Sequence, residues 1–422
     1  MLGALHEDLL KCVRCGFCQD ACPTYRLTGN EAESPRGRIH LMRAVTEDAM
    51  DLSAGVLAHI DSCLGCRACE TACPSAVPYS SILERFRERV ETAGVRDGLS
   101  RAARVGLLTT LTRPSLFAGL LRASRLSATV GLEADHMPGP VAAALTGGVS
   151  HRVPLPAMPR TARVGRLPAV IPAIGERRAT VAVLPGCVMR VLFHDTNAAT
   201  VRVLQRNGCD VLAPPALQCC GALHAHAGQL DAARSMARAV IDTMERYEYD
   251  AFVVNSAGCG STLKEYGDLL QDDRAYADRA RAFAAKVKDV SEYLDELGLR
   301  PPAGPFAAVV AYHDACHLAH GQGIVTAPRR LLAAVPGLQL VPLTESDTCC
   351  GSAGIYNLTQ PQMAGRLLRR KVDYIAQTGA TVIATGNPGC IAWIQRGLAD
   401  RGLDIRVMHP VEILDAAYST TG

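Results

Sequence analysis

Over residues 179–422 short apolar runs alternate with amphipathic stretches, and the alternation is played twice. The first round opens on T-V-A-V-L-P-G-C and the second on A-A-V-V-A-Y-H-D-A-C, each a β-branched run of strand length that stops on a cysteine, Cys187 or Cys316. A helix-period stretch follows, N-A-A-T-V-R-V-L-Q-R-N-G or T-A-P-R-R-L-L-A-A-V-P-G. Next comes a second strand and a triplet, Cys219-Cys220-Gly221 or Cys349-Cys350-Gly351. A long helix then leads to a third apolar run, A-F-V-V-N-S-A-G-C or T-V-I-A-T-G-N-P-G-C, ending at Cys259 or Cys390. Strand–helix alternation predicts α/β units with largely parallel strands. The repetition predicts two such units, residues 179–303 and 304–422. The cysteines then fall at strand ends, where α/β folds place their sites.

The N-terminal part has helical periodicity instead. Ser34 followed by Pro35 reads as an N-cap and first-turn proline. Ile39, Leu41, Met42 and Val45 give the following helix an apolar face, with Arg36, Arg38 and Arg43 on its other side. Those arginines are either a solvated face or charge support for an anionic group. After Pro78, Ile82, Leu83, Phe86 and Val90 mark another amphipathic helix. Residues 1–95 are expected to form one mostly helical domain. Residues 96–178 divide into a helical part to about Leu132 and a Pro-, Gly- and Ala-rich stretch from His136 to Glu176, expected to be an extended linker.

The N-terminal domain carries the sharpest chemistry. Cys12, Cys15, Cys18 and Cys22-Pro23 repeat their spacing at Cys63, Cys66, Cys69 and Cys73-Pro74. This is C-x2-C-x2-C-x3-C-P twice, the bacterial ferredoxin pattern in which thiolates hold cubane [4Fe–4S] clusters. A cubane needs one thiolate per iron. Three come from each tight loop, and in two-cluster ferredoxins the fourth cysteine serves the opposite cluster. Cys12, Cys15, Cys18 and Cys73 are therefore expected to hold one cluster, and Cys63, Cys66, Cys69 and Cys22 the other. Gly16 and Gly65 suit backbone lying close to a cluster. Zinc favours paired CxxC motifs without the trailing Cys-Pro, and disulfides would need an oxidising compartment that nothing in the sequence marks.

The chain has 422 residues, 17 of them cysteine, with 48% hydrophobic and 20% charged residues. That is enough apolar chain for several cores. The net charge of +3 with no basic run, and 5% aromatic content, argue against nucleic acid as a partner. Seventeen cysteines point to metal or redox chemistry in a reducing cytoplasm. M-L-G-A-L-H-E-D-L-L-K is not expected to be a signal peptide. Val105 to Leu121, the nearest approach to a membrane span, is broken at Arg113-Pro114. No G-x-G-x-x-G lies at a strand–helix junction and no P-loop is present, so no flavin or nicotinamide site is expected on this chain.

The repeat at Cys187, Cys219, Cys220 and Cys259 and at Cys316, Cys349, Cys350 and Cys390 resembles the cysteine-rich CCG domain of heterodisulfide reductases and flavin-linked dehydrogenases. In the heterodisulfide reductase form a fifth cysteine follows at CxxC spacing. Here Thr262 and Trp393 stand there. The eight cysteines thus have three readings: ligands of a further iron–sulfur cluster, dithiol/disulfide pairs, or packing residues. His313 and His317 flank Cys316, and His224 and His226 follow Cys220, as candidate ligands or supports. Cys209 reads as a buried small hydrophobe.

End to end, the chain resembles the iron–sulfur subunit of glycolate oxidase (glycolate dehydrogenase). The carrying stretches are C-V-R-C-G-F-C, A-C-P-T-Y, S-P-R-G-R-I, T-N-A-A-T-V-R-V-L, S-A-G-C-G-S-T-L-K-E-Y-G and C-C-G-S-A-G-I-Y-N-L-T. The resemblance implies a complex with two flavin-type subunits. The FAD-bearing one would oxidise glycolate to glyoxylate, and electrons would pass through this chain toward a membrane quinone. It implies a non-catalytic electron-transfer subunit, cytoplasmic and peripheral to the inner face of the membrane. The Cys motifs alone also fit the equivalent subunits of lactate and anaerobic glycerol-3-phosphate dehydrogenases, or a CCG-type thiol/disulfide reductase.

Overall fold

The computed structural model describes residues 2–129, 135–150, 152–158 and 163–419. Its strands are β1 (Val170–Ile171), β2 (Ala179–Val183), β3 (Cys209–Leu212), β4 (Ala251–Val254), β5 (Val287–Asp289), β6 (Ala308–Tyr312), β7 (Leu338–Val341), β8 (Val382–Ala384) and β9 (Arg406–Met408). They form two sheets, ordered β1-β3-β2-β4-β5 and β7-β6-β8-β9. All pairings are parallel except that of β1 with β3. Without β1 the two orders are the same, so the repeated pattern folds into two copies of one topology. Parallel strands covered on both faces read as continuous apolar runs. That is why A-F-V-V in β4 is buried at every position.

The copies bury each other. Val181, Val211 and Val253 of the first sheet share one core with Val310, Val382 and Leu414 of the second unit. Helix His194–Arg206 packs on helix Pro410–Ser419, and helix Val290–Leu297 packs on Thr326–Ala333. Each unit therefore offers the same two helices to the other, as a pseudo-two-fold pairing requires. An Arg–Asp pair closes each seam: Arg202 with Asp415 at 2.6 Å, and Arg330 with Asp295.

The N-terminal domain is built as its periodicity predicts. Ser34 caps helix Pro35–Thr46 by accepting from the Gly37 amide at 3.0 Å, with Pro35 in the first turn. Ile39, Met42 and Val45 join Ile82, Leu83, Phe86 and Val90 in one core. The three arginines of that helix do not share a fate. Arg43 pairs with Glu47 and Arg36 with Glu31 near the surface, but Arg38 is 1% exposed and belongs to the interior.

Residues 98–112 and 114–129 are helical, parted at Arg113-Pro114 as expected, because proline cannot extend the first helix and starts the second. The predicted helical reach to Leu132 passes outside the described residues. The Pro-rich stretch is more ordered than an extended linker. It contains helix Gly139–Thr146, and β1 adds an antiparallel edge to the first sheet. The helix forms by packing: Ala142 and Leu145 meet Met137, Val153 and Leu358 in a small core. Among the described residues no helix is long and apolar enough to cross a membrane.

Candidate metal centres

The two ferredoxin-type loops wind alike. Arg14 and Gly16 in the first, and Gly65 and Arg67 in the second, have φ of 59°, 93°, 64° and 66°. These are the same two places, two and four residues after the first cysteine, with arginine and glycine exchanged. A non-glycine residue there costs about 1–2 kcal/mol, so each loop holds one strained arginine and one relaxed glycine. A Cβ on Gly16 would also come within 2.8 Å of Arg36 Nη1.

That winding turns Cys12, Cys15 and Cys18 toward one cavity, which Cys73 of the other run also lines. Cys63, Cys66 and Cys69 line a second cavity together with Cys22. The last cysteine of each run thus crosses to the loop of the other. Cys69, Tyr79 and Pro35 border both cavities. Burial drives the free Cys18 thiol up to about 11, and those of Cys66 and Cys69 well above the ordinary range. Thiols so placed ionise when a metal supplies the positive charge. With the shared Cys69 counted to the second cavity, each is left with the four thiols that a cubane requires.

Polar groups reach the sulfurs. Tyr79 Oη donates to Cys63 Sγ at 3.5 Å, as does the Gly65 amide. Cys22 Sγ lies 3.2 Å from Thr24 Oγ1 and 4.0 Å from Arg38 Nη1. Arg38 also donates to Glu33 Oε2 at 2.5 Å, Ser62 Oγ at 2.8 Å and the His59 carbonyl at 2.7 Å. Burial works against its charge, but Cys63, Tyr79, Cys22 and Glu33 outweigh this and hold the guanidinium firmly protonated. Arg38 is therefore charge support, not a solvated face.

The CCG-type cysteines converge. Cys187, Cys219, Cys220 and Cys259 follow the ends of β2, β3 and β4, while Cys316, Cys349, Cys350 and Cys390 follow β6, β7 and β8. All eight line a single cavity of about 990 Å³ between the units. The repeat makes each foursome legible; their union needs the pseudo-two-fold pairing. Gly221 and Gly351 take φ of 84° and 92° against the next helix, where a Cβ would meet Ala233 Cα at 3.2 Å or the Ala364 carbonyl at 2.8 Å. In the first unit Cys187 Sγ lies 3.5 Å from Cys219 Sγ. Hydrogen bonds from Cys187 and Cys220 hold Cys219 well below the ordinary thiol range. In the second, Cys316 and Cys349 are 4.0 Å apart and Asn387 Nδ2 donates to Cys390 Sγ at 3.5 Å. Thr262 and Trp393, at the fifth-cysteine positions, are buried, and Cys209 lies wholly within the core as expected.

Cys63 and Leu64 line both this cavity and the one holding Cys22. Arg87 ties that junction by donating to the carbonyls of Cys63 and His226, each at 2.7 Å. His317 Nε2 donates to the Gly65 carbonyl at 3.0 Å, and Tyr356 Oη to that of Ser62 at 2.8 Å. Burial, reinforced by neighbouring His226, lowers His317 to about 3, so it is neutral near neutral pH. His226 Nδ1 pairs with Glu84 at 2.7 Å, and both nitrogens of His224 are engaged, by Gln229 at 2.8 Å and Thr112 at 3.3 Å. Arg87 and Tyr79 carry no motif of their own, and Tyr356 stands in the C-C-G-S-A-G-I-Y-N-L-T stretch with nothing there to pair it with Ser62. Only contacts between distant parts of the chain reveal them.

Two crossed sets of four thiols leading into a duplicated cysteine-rich fold define an iron–sulfur electron-transfer protein. Residues 8–77 match the 4Fe-4S dicluster domain, and residues 181–264 and 310–395 match the cysteine-rich domain. The glycolate oxidase iron-sulfur subunit of Escherichia coli (strain K12) is 35% identical over 420 residues, covering 98% of this chain and 96% of that protein. The Bacillus subtilis (strain 168) protein named "Probable glycolate oxidase iron-sulfur subunit" is 36% identical, covering 96% and 93%. Lactate utilization protein A of Exiguobacterium sp. (strain ATCC BAA-1283 / AT1b) is 33% identical over 56% of this chain and 96% of its own. A solved hypothetical protein from Helicobacter pylori shares the fold, with TM-score 0.56 at 8% identity over 99% of this chain and 72% of its own. The chain belongs to the family of glycolate oxidase iron–sulfur subunits.

Proposed function

We propose that this chain is the electron-transfer subunit of a flavin-linked glycolate dehydrogenase, taking electrons from an FAD-bearing partner and delivering them to a membrane quinone. Cys12, Cys15, Cys18 and Cys73 hold one cubane and Cys63, Cys66, Cys69 and Cys22 the other. When bound, these clusters supply one-electron carriers matched to a two-electron flavin on one side and a quinone on the other. The observation that carries the reading is the shared lining of the three cavities: Cys69 and Tyr79 border the first two, Cys63 and Leu64 the second and third. The chain's own residues place the sulfurs of neighbouring cavities close together and donate hydrogen bonds to them, with buried Leu64 at the junction.

The third cavity suits an apolar acceptor. Leu107, Leu111, Phe117, Leu121 and Met158 line it, and Leu120 and Val141 both line it and are exposed to solvent. Residues 96–166 carry ten arginines against three acidic residues, while the whole chain is only +3. An apolar mouth set in a basic segment fits the anionic surface of the inner leaflet.

The test is a reconstituted complex assayed with glycolate and a short-chain quinone, with glycolate-driven cluster reduction followed separately by EPR. Leu121→Trp should slow quinone reduction at least about tenfold while glycolate still reduces the clusters. Cluster reduction by lactate but not glycolate would overturn the substrate assignment. Unchanged quinone turnover in Leu121→Trp would overturn the acceptor site.

A further inference from the structure

His313 is fully buried just beyond β6, three residues before Cys316. Its Nδ1 lies 2.9 Å from the carbonyl oxygen of Ser346. A carbonyl only accepts, so Nδ1 carries the proton and Nε2 presents a lone pair. Among the described residues no group partners Nε2. Polar atoms left unpaired in an interior are costly and call for an explanation. Here the surroundings supply one: a ring nitrogen of His313 and the sulfurs of Cys350 and Cys390 all lie within 4.8 Å of one another, and all three residues are buried. With Nδ1 engaged, the available nitrogen is Nε2.

The spacing suits one ion. Zinc–sulfur bonds of about 2.3 Å and zinc–nitrogen bonds of about 2.0–2.1 Å place tetrahedral donors within roughly 4 Å of each other. An imidazole that donates its other N–H to a backbone carbonyl is the usual support for a metal-bound histidine. A buried cation also stands by. Lys371 is 2% exposed, donates to the Glu345 carbonyl, and its charge is felt by Cys349, Cys350 and His313. It offsets the negative charge that ionised thiols would bring. The first unit lacks both features. Leu184 stands three residues before Cys187 where His313 stands before Cys316, and Val240 takes the place of Lys371 on the matching helix. Among the described residues no other group of three such donors gathers as closely.

We propose that the second unit, and not the first, binds a single divalent ion of the zinc class through Cys350, Cys390 and Nε2 of His313. Three protein donors leave a fourth position for a neighbouring thiol or water. The ion is redox-inert and pins the second unit's thiols, so the two repeats have different work despite their common fold.

The test uses the full chain, purified without air and with its cluster iron intact, then equilibrated with zinc sulfate or cobalt chloride. One zinc per chain is expected beyond the cluster iron, with cobalt giving tetrahedral thiolate charge-transfer bands. Zinc-edge absorption of the wild type should show sulfur together with one imidazole nitrogen, a result that depends on no variant. His313→Gln, near in size to the original, should weaken zinc binding at least tenfold while the cluster EPR signals stay unchanged. His317→Ala should bind zinc as the wild type does. A zinc shell without nitrogen, unchanged binding in His313→Gln, no bound zinc, or extra iron in place of zinc would each overturn the assignment.

Discussion

Arg38 points a guanidinium nitrogen at the sulfur of Cys22 across 4.0 Å, inside the domain, with Glu33 as its counter-charge at 2.5 Å. A positive charge so near a cluster thiolate favours the reduced cluster. Arg38→Met should therefore lower the reduction potential of the centre against Cys63, Cys66 and Cys69 and leave the other nearly unchanged. It would also take one charged partner from Glu33, which keeps His59 and Ser62, at a cost of about 1–3 kcal/mol in stability. Arg38→Lys keeps the charge but loses the fork of donors, so its potential should fall less. An EPR-monitored redox titration of the two variants checks the order.

The crossing of Cys22 and Cys73 gives a selective outcome. Cys22→Ser changes the first run, yet the second-cavity cluster should be lost first. Cys73→Ser should conversely strike the cluster that sits against Cys12, Cys15 and Cys18. Iron content should fall from about eight toward four per chain in each case, and the surviving EPR signal should differ between them. Loss of the signal belonging to the mutated run itself would refute the crossing.

The exchanged arginine and glycine in the two loops predict opposite effects of similar changes. Gly16→Ala places a Cβ at φ 93° and 2.8 Å from Arg36 Nη1, and should cost roughly 1–2 kcal/mol. Arg14→Gly relieves a residue at φ 59° and should not destabilise the loop. Rates of cluster loss to a chelator would rank the two against wild type.

Glu345 joins Arg26 of the ferredoxin-type domain to Arg370 of the second unit. Arg370 foremost, with Arg26, holds its carboxyl at about 2 against the opposing effect of burial. In the unfolded chain a glutamate titrates near 4.3. The folded value is the lower one, so the contribution is complete above about pH 5 and is lost as pH falls from about 4.5 toward 2. Glu345→Gln should lower stability by about 1–2 kcal/mol at pH 7, and the gap to wild type should close below pH 4.5. Denaturant titrations at pH 7 and pH 4 measure it.

Periodic and local signals were legible in the chain because they rest on near neighbours. Ser34-Pro35 starts its helix by a bond three residues long, and the spacing of Cys12, Cys15 and Cys18 is itself the loop. The repeat disclosed two α/β units because each strand and helix carries its own apolar pattern. What stayed hidden depends on pieces far apart in sequence. Arg38 looks like any surface arginine until Thr24, Glu33 and Ser62 close around it. Gly139–Thr146 looks like linker until Leu358 arrives to cover it. Nothing near His313 in the chain says that Cys350 and Cys390 will come within reach of its free nitrogen.

The mutual burial of the two units bears on how such a chain can arise and be rearranged. Helix His194–Arg206 lays part of its apolar side on its own strand β3 and part on Pro410–Ser419, and Val290–Leu297 divides its own between β4, β5 and Thr326–Ala333. A break at the boundary near residue 303 would leave two halves, each with a greasy flank and half of a cavity. A recombination event that moved one half alone would deliver a protein prone to stick to itself. The heritable module is therefore the pair. Within that pair the copies need not match, and Leu184 and His313 stand at corresponding places.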